Sequence, residues 1–331
     1  MSEPVRVIQY GLGPIGCAVA RHVVEREGLS LVGAIDIDPA KVGQDAGQVI
    51  GLAQSLGYPV VGRLADALER TSADVVLHTT GSYFCLFAPQ IIEILEAGLD
   101  VVSTSEELSF PWLAHPDGAA EIDAAARRAH RTVLATGVNP GFLMDALPLT
   151  LTAICQRVEH IDVRRVINAS TRRRSFQAKI GSGLTVETFH ARVHTGRMGH
   201  VGLPESIGMA FDTLGKTLAG YESDVEPVVA QHLVVSDHFE VPRGRVIGLK
   251  QVARAHTPEG EFMRLTFVAA LDAEGEQDTI AITGIPSLSV TLKGTNGDLA
   301  TVAIVVNAIR RARTAGPGLV TMRDLPVVTW W

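Results

Sequence analysis

The sequence predicts an α/β protein: a doubly wound parallel sheet followed by an α+β part built on an open mixed sheet. Three observations carry this. Short apolar runs alternate with helical patterns up to about residue 135, a glycine-rich turn follows the first run, and successive strands dominate after Gly137.

Taken in order, Val5–Tyr10 is an apolar run ending at glycine and reads as a buried strand. Pro14 to about Arg26 is helical, with Ile15, Ala18, Val19, His22 and Val23 on one face. Leu31–Ile35 is the second strand. Asp74–His78 and Asp100–Ser103 follow, each after a helical stretch, and then a helix at Gly118–His130 and a strand at Thr132–Ala135. Beyond Gly137, strands are expected at Val158–Val166, Val228–Ser236, Val246–His256, Arg264–Leu271 and Thr279–Thr283, with little helix among them. Such a run suggests a mostly antiparallel sheet, the usual shape of a substrate and dimerisation domain. Asp298–Arg313 is a final helix, broken by Pro317-Gly318.

Composition narrows the function classes. The 331 residues are 46% hydrophobic and 20% charged, an ordinary globular balance with room for two domains. A net charge of -7 argues against nucleic acid or an anionic membrane surface as partner. No apolar run reaches the roughly 18 residues that span a bilayer. Met1-Ser2-Glu3-Pro4 has no basic n-region, so no signal peptide is expected and the chain is placed in the cytoplasm. Cys17, Cys85 and Cys155 are odd in number and far apart, which fits buried thiols in a reducing compartment. No metal site is expected. His190 and His194 share a helix spacing but lack a partner acid.

Gly11-Leu12-Gly13-Pro14-Ile15-Gly16 fits G-x-G-x-x-G, a weak pattern alone, but here it leaves a strand and opens a helix. The first glycine makes the turn, the second admits a pyrophosphate, and the third lets helix and strand pack, while helix-start N–H groups face the phosphates. Asp36 ends the second strand about 20 residues on, where an acid accepts from the adenosine ribose hydroxyls. The expected cofactor is therefore NAD in a Rossmann unit. NADP stays open, because Lys41 is near enough to reach a 2′-phosphate.

Ligands in such sheets lie beyond the carboxyl ends of the strands. Thr79, Thr80, Gly81 and Ser82 follow one strand and are candidates for the ribose and nicotinamide, together with Ser103. Glu106 and Glu107 follow another, where a carboxylate can serve as general base and stabilise a cation. Acids there also suit a helix dipole, and the sequence does not say which of the two is catalytic. Asn139, before Pro140, is pushed towards extended backbone and can present its amide to cofactor or substrate. Phe142, Phe176 and Trp112 suggest an apolar pocket or plain core. Gly181–Gly183 precede a helix carrying Thr185, Phe189 and His190, whose N–H groups either face a substrate or simply cap the helix.

The fingerprint, Asp36-Ile37-Asp38-Pro39-Ala40-Lys41-Val42-Gly43, Ser105-Glu106-Glu107-Leu108 and Asn139-Pro140-Gly141-Phe142-Leu143-Met144-Asp145 resemble the 2,4-diaminopentanoate dehydrogenases and related amine dehydrogenases. Gly202-Leu203-Pro204-Glu205-Ser206, Gly297-Asp298 with Thr301, and Pro317-Gly318-Leu319 agree with it. The resemblance implies a first domain like that of dihydrodipicolinate reductase, at 1–140 with a returning helix at 297–331. It implies a substrate-binding and homodimer-forming domain at 141–296. The implied reaction is reversible reductive amination of a ketone or aldehyde by ammonia and NAD(P)H to a primary amine. One glutamate of the pair would be the acid/base. Read from the residues themselves, Asn139, Pro140, Phe142, Phe176 and His190 are the candidate substrate contacts. Two alternatives remain: a reductase of a cyclic imine or carbonyl, and a non-catalytic dinucleotide-binding regulator.

Overall fold

The computed structural model describes residues 3–331; Met1 and Ser2, part of the reading of the N-terminus, lie outside them. The chain forms two compact units, one from the described residues up to Phe142 with Asn296–Trp331, the other from Leu143–Thr295.

The first unit begins β1 (Val5–Tyr10), α1 (Pro14–Glu25), β2 (Leu29–Ile35), α2 (Ala46–Val49), α3 (Leu64–Leu68) and β3 (Val75–His78). It continues with α4 (Phe84–Glu96), β4 (Asp100–Ser103), α5 (Pro116–Ala129) and β5 (Thr132–Ala135). The second unit holds α6 (Ala146–Thr152), β6 (Arg157–Asn168), α7 (Arg174–Lys179), α8 (Val186–His194) and α9 (Leu203–Thr213). Its later strands are β7 (Gly220–Val229), β8 (Val234–Val235), β9 (Glu240–Val241), β10 (Val246–Thr257), β11 (Gly260–Ala270), β12 (Gln277–Ile285) and β13 (Leu288–Leu292). The chain then returns to the first unit with α10 (Gly297–Thr314) and β14 (Gly318–Val320).

The first sheet runs β14-β5-β4-β3-β1-β2, and every adjacent pair is parallel. Its strands β3, β4 and β5 are buried at every position because helices cover both faces. One face packs Val76, Val101 and Val133 against Phe87, Ile91 and Ile94 of α4 and Ile122 of α5. Helices α1 and α10 contribute the buried Val19, Val23, Val302, Val305 and Ile309. Each fully buried aliphatic side chain of this kind contributes about 1.5–3 kcal/mol. Strand order reverses between β1 and β3, so the crevice lies where Gly11 meets Thr79.

The second sheet runs β13-β12-β6-β11-β10-β7 and is antiparallel except for the β6–β11 pair. Its buried face carries Ile161, Val163 and Ile167 on β6, with one polar row crossing it. Asp278, Arg165, Phe267 and Gln251 stand side by side on four adjacent strands. Arg165 and Asp278 pair at 3.4 Å, both almost wholly buried. The His200 ring stacks on Phe267 at 4.4 Å, and its backbone N–H donates to Gln251 Oε1 (2.6 Å).

Three expectations need correction. The strand placed at Val228–Ser236 is the tail of β7, which begins at Gly220, followed by the separate β8. Tyr221, Glu222, Ser223 and Asp224 are exposed on that edge strand, so no apolar alternation marks it. The second unit is richer in helix than expected: α9 starts at Leu203-Pro204, where proline suits the first turn. Finally, Pro317-Gly318 ends α10 but opens β14, the sheet's sixth strand. Among the described residues no helix is long and apolar enough to cross a membrane.

Candidate active site

The three motif glycines do different work. Gly11 has φ +94°, and a Cβ there would stand 2.8 Å from the Thr79 carbonyl oxygen. At Gly16 a Cβ would overlap the Gly11 carbonyl and stand 2.5 Å from Thr79 Oγ1, so this glycine brings α1 against the β1 turn. A Cβ on Gly13 meets nothing within 4 Å. The space over Gly13 is open, and the first turn of α1 turns its amides towards it without a side-chain cap. That cradle fits a pyrophosphate. Leu12, Pro14 and Ile15 complete the turn.

Thr79 braces the cradle from β3: its hydroxyl donates to the Gly11 carbonyl (2.8 Å) and accepts from Gln9 Nε2 (2.9 Å). A Cβ on Gly81 also meets nothing within 4 Å. Thr80 is exposed, and its hydroxyl donates to Gln90 Oε1 at 2.6 Å.

At the end of β2 the Asp36 carboxylate already accepts three hydrogen bonds. Leu12 N–H (2.7 Å) and Lys41 Nζ (3.0 Å) donate to Oδ2, and Asp38 N–H donates to Oδ1 (2.9 Å). Burial pushes its pKa up, but the Asp38 amide, Lys41 and the Leu12 amide outweigh it and hold the group below its ordinary value. A carboxylate has about four acceptor sites, so one remains for a ribose hydroxyl. Lys41 also donates to the Leu12 carbonyl (3.0 Å) and lies 3.6 Å from Asp38. The cation is part of this corner.

The two glutamates after β4 part company. Glu107 Oε2 accepts from the Phe84 amide at the first turn of α4 and lies 3.4 Å from His115 Nε2. His115 in turn stacks on Phe84 at 4.5 Å. Glu107 is thus a cap on the preceding helix, where a carboxylate is favoured by the N-terminal dipole. Glu106 opens the short 3₁₀ turn Glu106–Leu108 and is half-buried.

Ser103 is a correction. Its side chain is wholly buried and faces inward, 3.0 Å from His78 Nδ1, and accepts from the Ser105 amide (3.0 Å). It braces the site from beneath and offers no surface to a ligand. The bracing residues that sequence reasoning missed are its partner His78, Gln90 behind that imidazole, and Gln9 beneath Thr79. The available signal was a histidine closing the otherwise apolar strand Val75-Val76-Leu77.

Asn139 and Pro140 lie in the turn from Gly137 to Gly141, whose peptide between them is cis. Gly141 has φ +118°, and a Cβ there would meet the Gly137 amide at 2.6 Å. The Val138 N–H donates to Thr301 Oγ1 (3.3 Å), tying the turn to α10. Phe142 follows and is partly exposed. Trp112 packs on the first unit's core beside Phe110.

In the second unit Phe176 is half-buried with the Arg172 guanidinium 4.6 Å from its ring centre. His190 is exposed on α8. The expected N–H donors nearby are used internally: Gly181, Ser182 and Gly183 donate to Ala178, Gln177 and Val246 carbonyls. Thr185 is the cap of α8, accepting from the Thr188 amide at 3.1 Å.

A parallel sheet of this order, with a glycine cradle at its switch point and an acid ending β2, defines a Rossmann-type oxidoreductase. Residues 142–331 match the 2,4-diaminopentanoate dehydrogenase C-terminal domain, and residues 5–89 match the dihydrodipicolinate reductase N-terminus. The chain belongs to the 2,4-diaminopentanoate dehydrogenase family. It is 32% identical to the 2,4-diaminopentanoate dehydrogenase of Acetoanaerobium sticklandii, over 98% of this chain and 94% of that protein. An amine dehydrogenase of Streptomyces virginiae is 27% identical over 50% of this chain and 47% of its own length. The solved amine dehydrogenase of Mycobacterium smegmatis superposes with a TM-score of 0.89 at 26% identity, covering 99% of this chain and 97% of that one.

Proposed function

We propose that this chain is an NAD(P)H-dependent amine dehydrogenase that interconverts a ketone or aldehyde plus ammonia with a primary amine. The observation that carries the reading is the relation to 2,4-diaminopentanoate dehydrogenase along 98% of the chain. In the amination direction, carbonyl, ammonium and NADH give amine, water and NAD⁺. The coenzyme, when bound, supplies the hydride.

The first unit supplies the coenzyme and proton-handling groups. The Gly11–Gly16 turn holds the pyrophosphate, Asp36 takes a ribose hydroxyl, and Thr80, Gly81, Ser82 and Asn139 stand on the nicotinamide side. Glu107 caps α4, and we place proton handling on Glu106, which opens the 3₁₀ turn after β4. Its carboxylate takes a proton from ammonium, passes it to the departing carbinolamine oxygen as water leaves, and favours the substrate's iminium cation. Pro140, Phe142, Phe176 and His190 are kept as candidate substrate contacts, for their apolar or polar side chains near the turns read from the sequence.

Asp36 favours NAD(H), since its charge repels a 2′-phosphate, and Lys41 softens that preference without reversing it. We also assign a homodimer through the open face of the second sheet. Lys250 and Arg164 are exposed on it, and Arg254, half-buried, pairs with Asp224 at 3.0 Å. Light scattering that gave a monomer mass would remove this assignment.

The test is NADH consumption with carbonyl and ammonium supplied separately and together, and NAD⁺ reduction with 2,4-diaminopentanoate or simple amines. Turnover should need both carbonyl and ammonium. Consumption without ammonium would indicate an imine or carbonyl reductase, and binding without turnover a regulator. Glu106→Gln should lower kcat at least ~100-fold with NADH affinity nearly unchanged. Glu107→Gln should mainly cost stability, about 1 kcal/mol for a weakened cap.

A further inference from the structure

His78 is the last residue of β3, fully buried, and sits where a leucine would fill the same space. Tyr10 and Phe87 meet it edge-on, with ring centres 5.7 and 6.5 Å away. Burying an imidazole there costs free energy unless both nitrogens find partners. They do, and the partners lie on three separate segments. Nε2 is 2.8 Å from Gln90 Oε1 on α4 and 2.9 Å from Thr80 Oγ1 in the β3–α4 loop. Nδ1 is 3.0 Å from Ser103 Oγ at the end of β4.

One protonation state satisfies the whole set. The Gln90 oxygen only accepts, so Nε2 carries the proton and Nδ1 accepts from the Ser103 hydroxyl. The Ser103 oxygen then accepts from the Ser105 amide, and the Ser105 hydroxyl donates to the Gly81 carbonyl at 2.6 Å. The circuit closes from β3 through β4 and back to the loop at Gly81. A further bond, from Glu107 N–H to the Ser82 carbonyl (3.3 Å), runs alongside it. The imidazole therefore fixes the spacing between the loop 79–82 and the loop 104–107, which carries Glu106.

We propose that His78 is a positioning residue that holds the nicotinamide-side loop and the Glu106 loop in register through its neutral imidazole. It touches neither coenzyme nor substrate and acts through Thr80, Gly81 and Ser103. The pyrophosphate cradle is built without it: Gly11 and Gly16 are braced by Thr79 and Gln9. This separation yields the test. The proposal rests on the coenzyme reading above, so binding of NADH and of ADP-ribose is measured side by side by fluorescence titration and calorimetry.

His78→Leu keeps the volume and removes both hydrogen bonds. NADH binding should weaken at least about 10-fold, the scale of one lost buried hydrogen bond, while ADP-ribose, lacking nicotinamide, stays within about 2-fold. kcat should fall about 10-fold beyond any change in the carbonyl KM, because Glu106 is displaced. Gln90→Met, which removes only the Nε2 acceptor, should shift NADH over ADP-ribose in the same direction, and it serves if His78→Leu does not fold. Equal losses for both ligands, or no loss for either, overturn the positioning role. If the wild-type protein binds neither ligand, the coenzyme reading fails instead.

Discussion

Adding one methyl group at Gly16 or at Gly13 should break the protein in two different ways. At Gly16 the new Cβ overlaps the Gly11 carbonyl oxygen and lies 2.5 Å from Thr79 Oγ1, well inside contact distance. Gly11 has little freedom to retreat. Its N–H donates to the Ile35 carbonyl (2.8 Å), and its carbonyl accepts from Thr79 (2.8 Å) and Gln9 (3.0 Å). Overpacking costs about 1–3 kcal/mol, and the hydrogen bonds that give way add about 1 kcal/mol each. Gly16→Ala should therefore lose about 3–5 kcal/mol, a fall of roughly 10 °C in Tm for a unit of this size. At Gly13 the methyl has free space, and φ of -66° suits any residue. Gly13→Ala should cost less than about 1 kcal/mol, the difference between glycine and alanine as a cap. Its methyl occupies the volume a pyrophosphate needs, so NADH should bind at least about 10-fold more weakly. Calorimetry reads the first effect and NADH fluorescence titration the second. A Gly16→Ala variant as stable as wild type, or a Gly13→Ala variant with unchanged NADH affinity, would refute the reasoning.

Acid should weaken both units through buried histidines. Burial holds His78 neutral, its pKa lowered to about 4, and His200 to about 3. Both lie below the unfolded value near 6.5, so the stabilisation is complete above pH 6.5 and is lost as pH falls towards those values. At pH 5 each should account for about 2 kcal/mol, seen as a drop in urea midpoint that His200→Leu halves. In the second sheet, burial lowers the Arg165 pKa and raises that of Asp278, so desolvation outweighs their mutual attraction. Asp278→Asn strands a buried cation and should cost about 3–5 kcal/mol, whereas Arg165→Met with Asp278→Leu should recover most of it in chemical denaturation. A double variant no more stable than Asp278→Asn would contradict that balance.

Parallel strands with both faces covered keep apolar residues at consecutive positions, such as Val7-Ile8, Val101-Val102 and Val133-Leu134, which is why β1, β4 and β5 can be delimited from sequence to the residue. Strand β7 fails the same reading because Tyr221 to Asp224 face solvent at a sheet edge. The glycine cradle was legible because its residues are consecutive. The bracing of Gly11 by Thr79 joins positions nearly seventy residues apart, and no local pattern encodes it. The glutamate pair shows the limit most clearly. Adjacent carboxylates look equivalent in one dimension, and only the return of α4 beside the 3₁₀ turn engages Glu107 with the Phe84 amide.

The place of β14 sets a timetable for synthesis. Its residues Gly318–Val320 pair with Thr132–Leu134, so β5 leaves the ribosome roughly two hundred residues before its neighbour exists. At about 5–20 residues per second that is a wait of roughly 10 seconds or more. Throughout it β5 has an unpaired edge, and the surface that α10 later covers with Val302, Val305 and Ile309 stays wet. The whole second unit is made in that interval, and its sheet closes among strands between Arg157 and Leu292 without reference to the first. The nascent chain thus carries a finished insertion before its host can close, and the turn from Gly137 to Gly141 is tied down only when α10 arrives to hold the Val138 amide through Thr301.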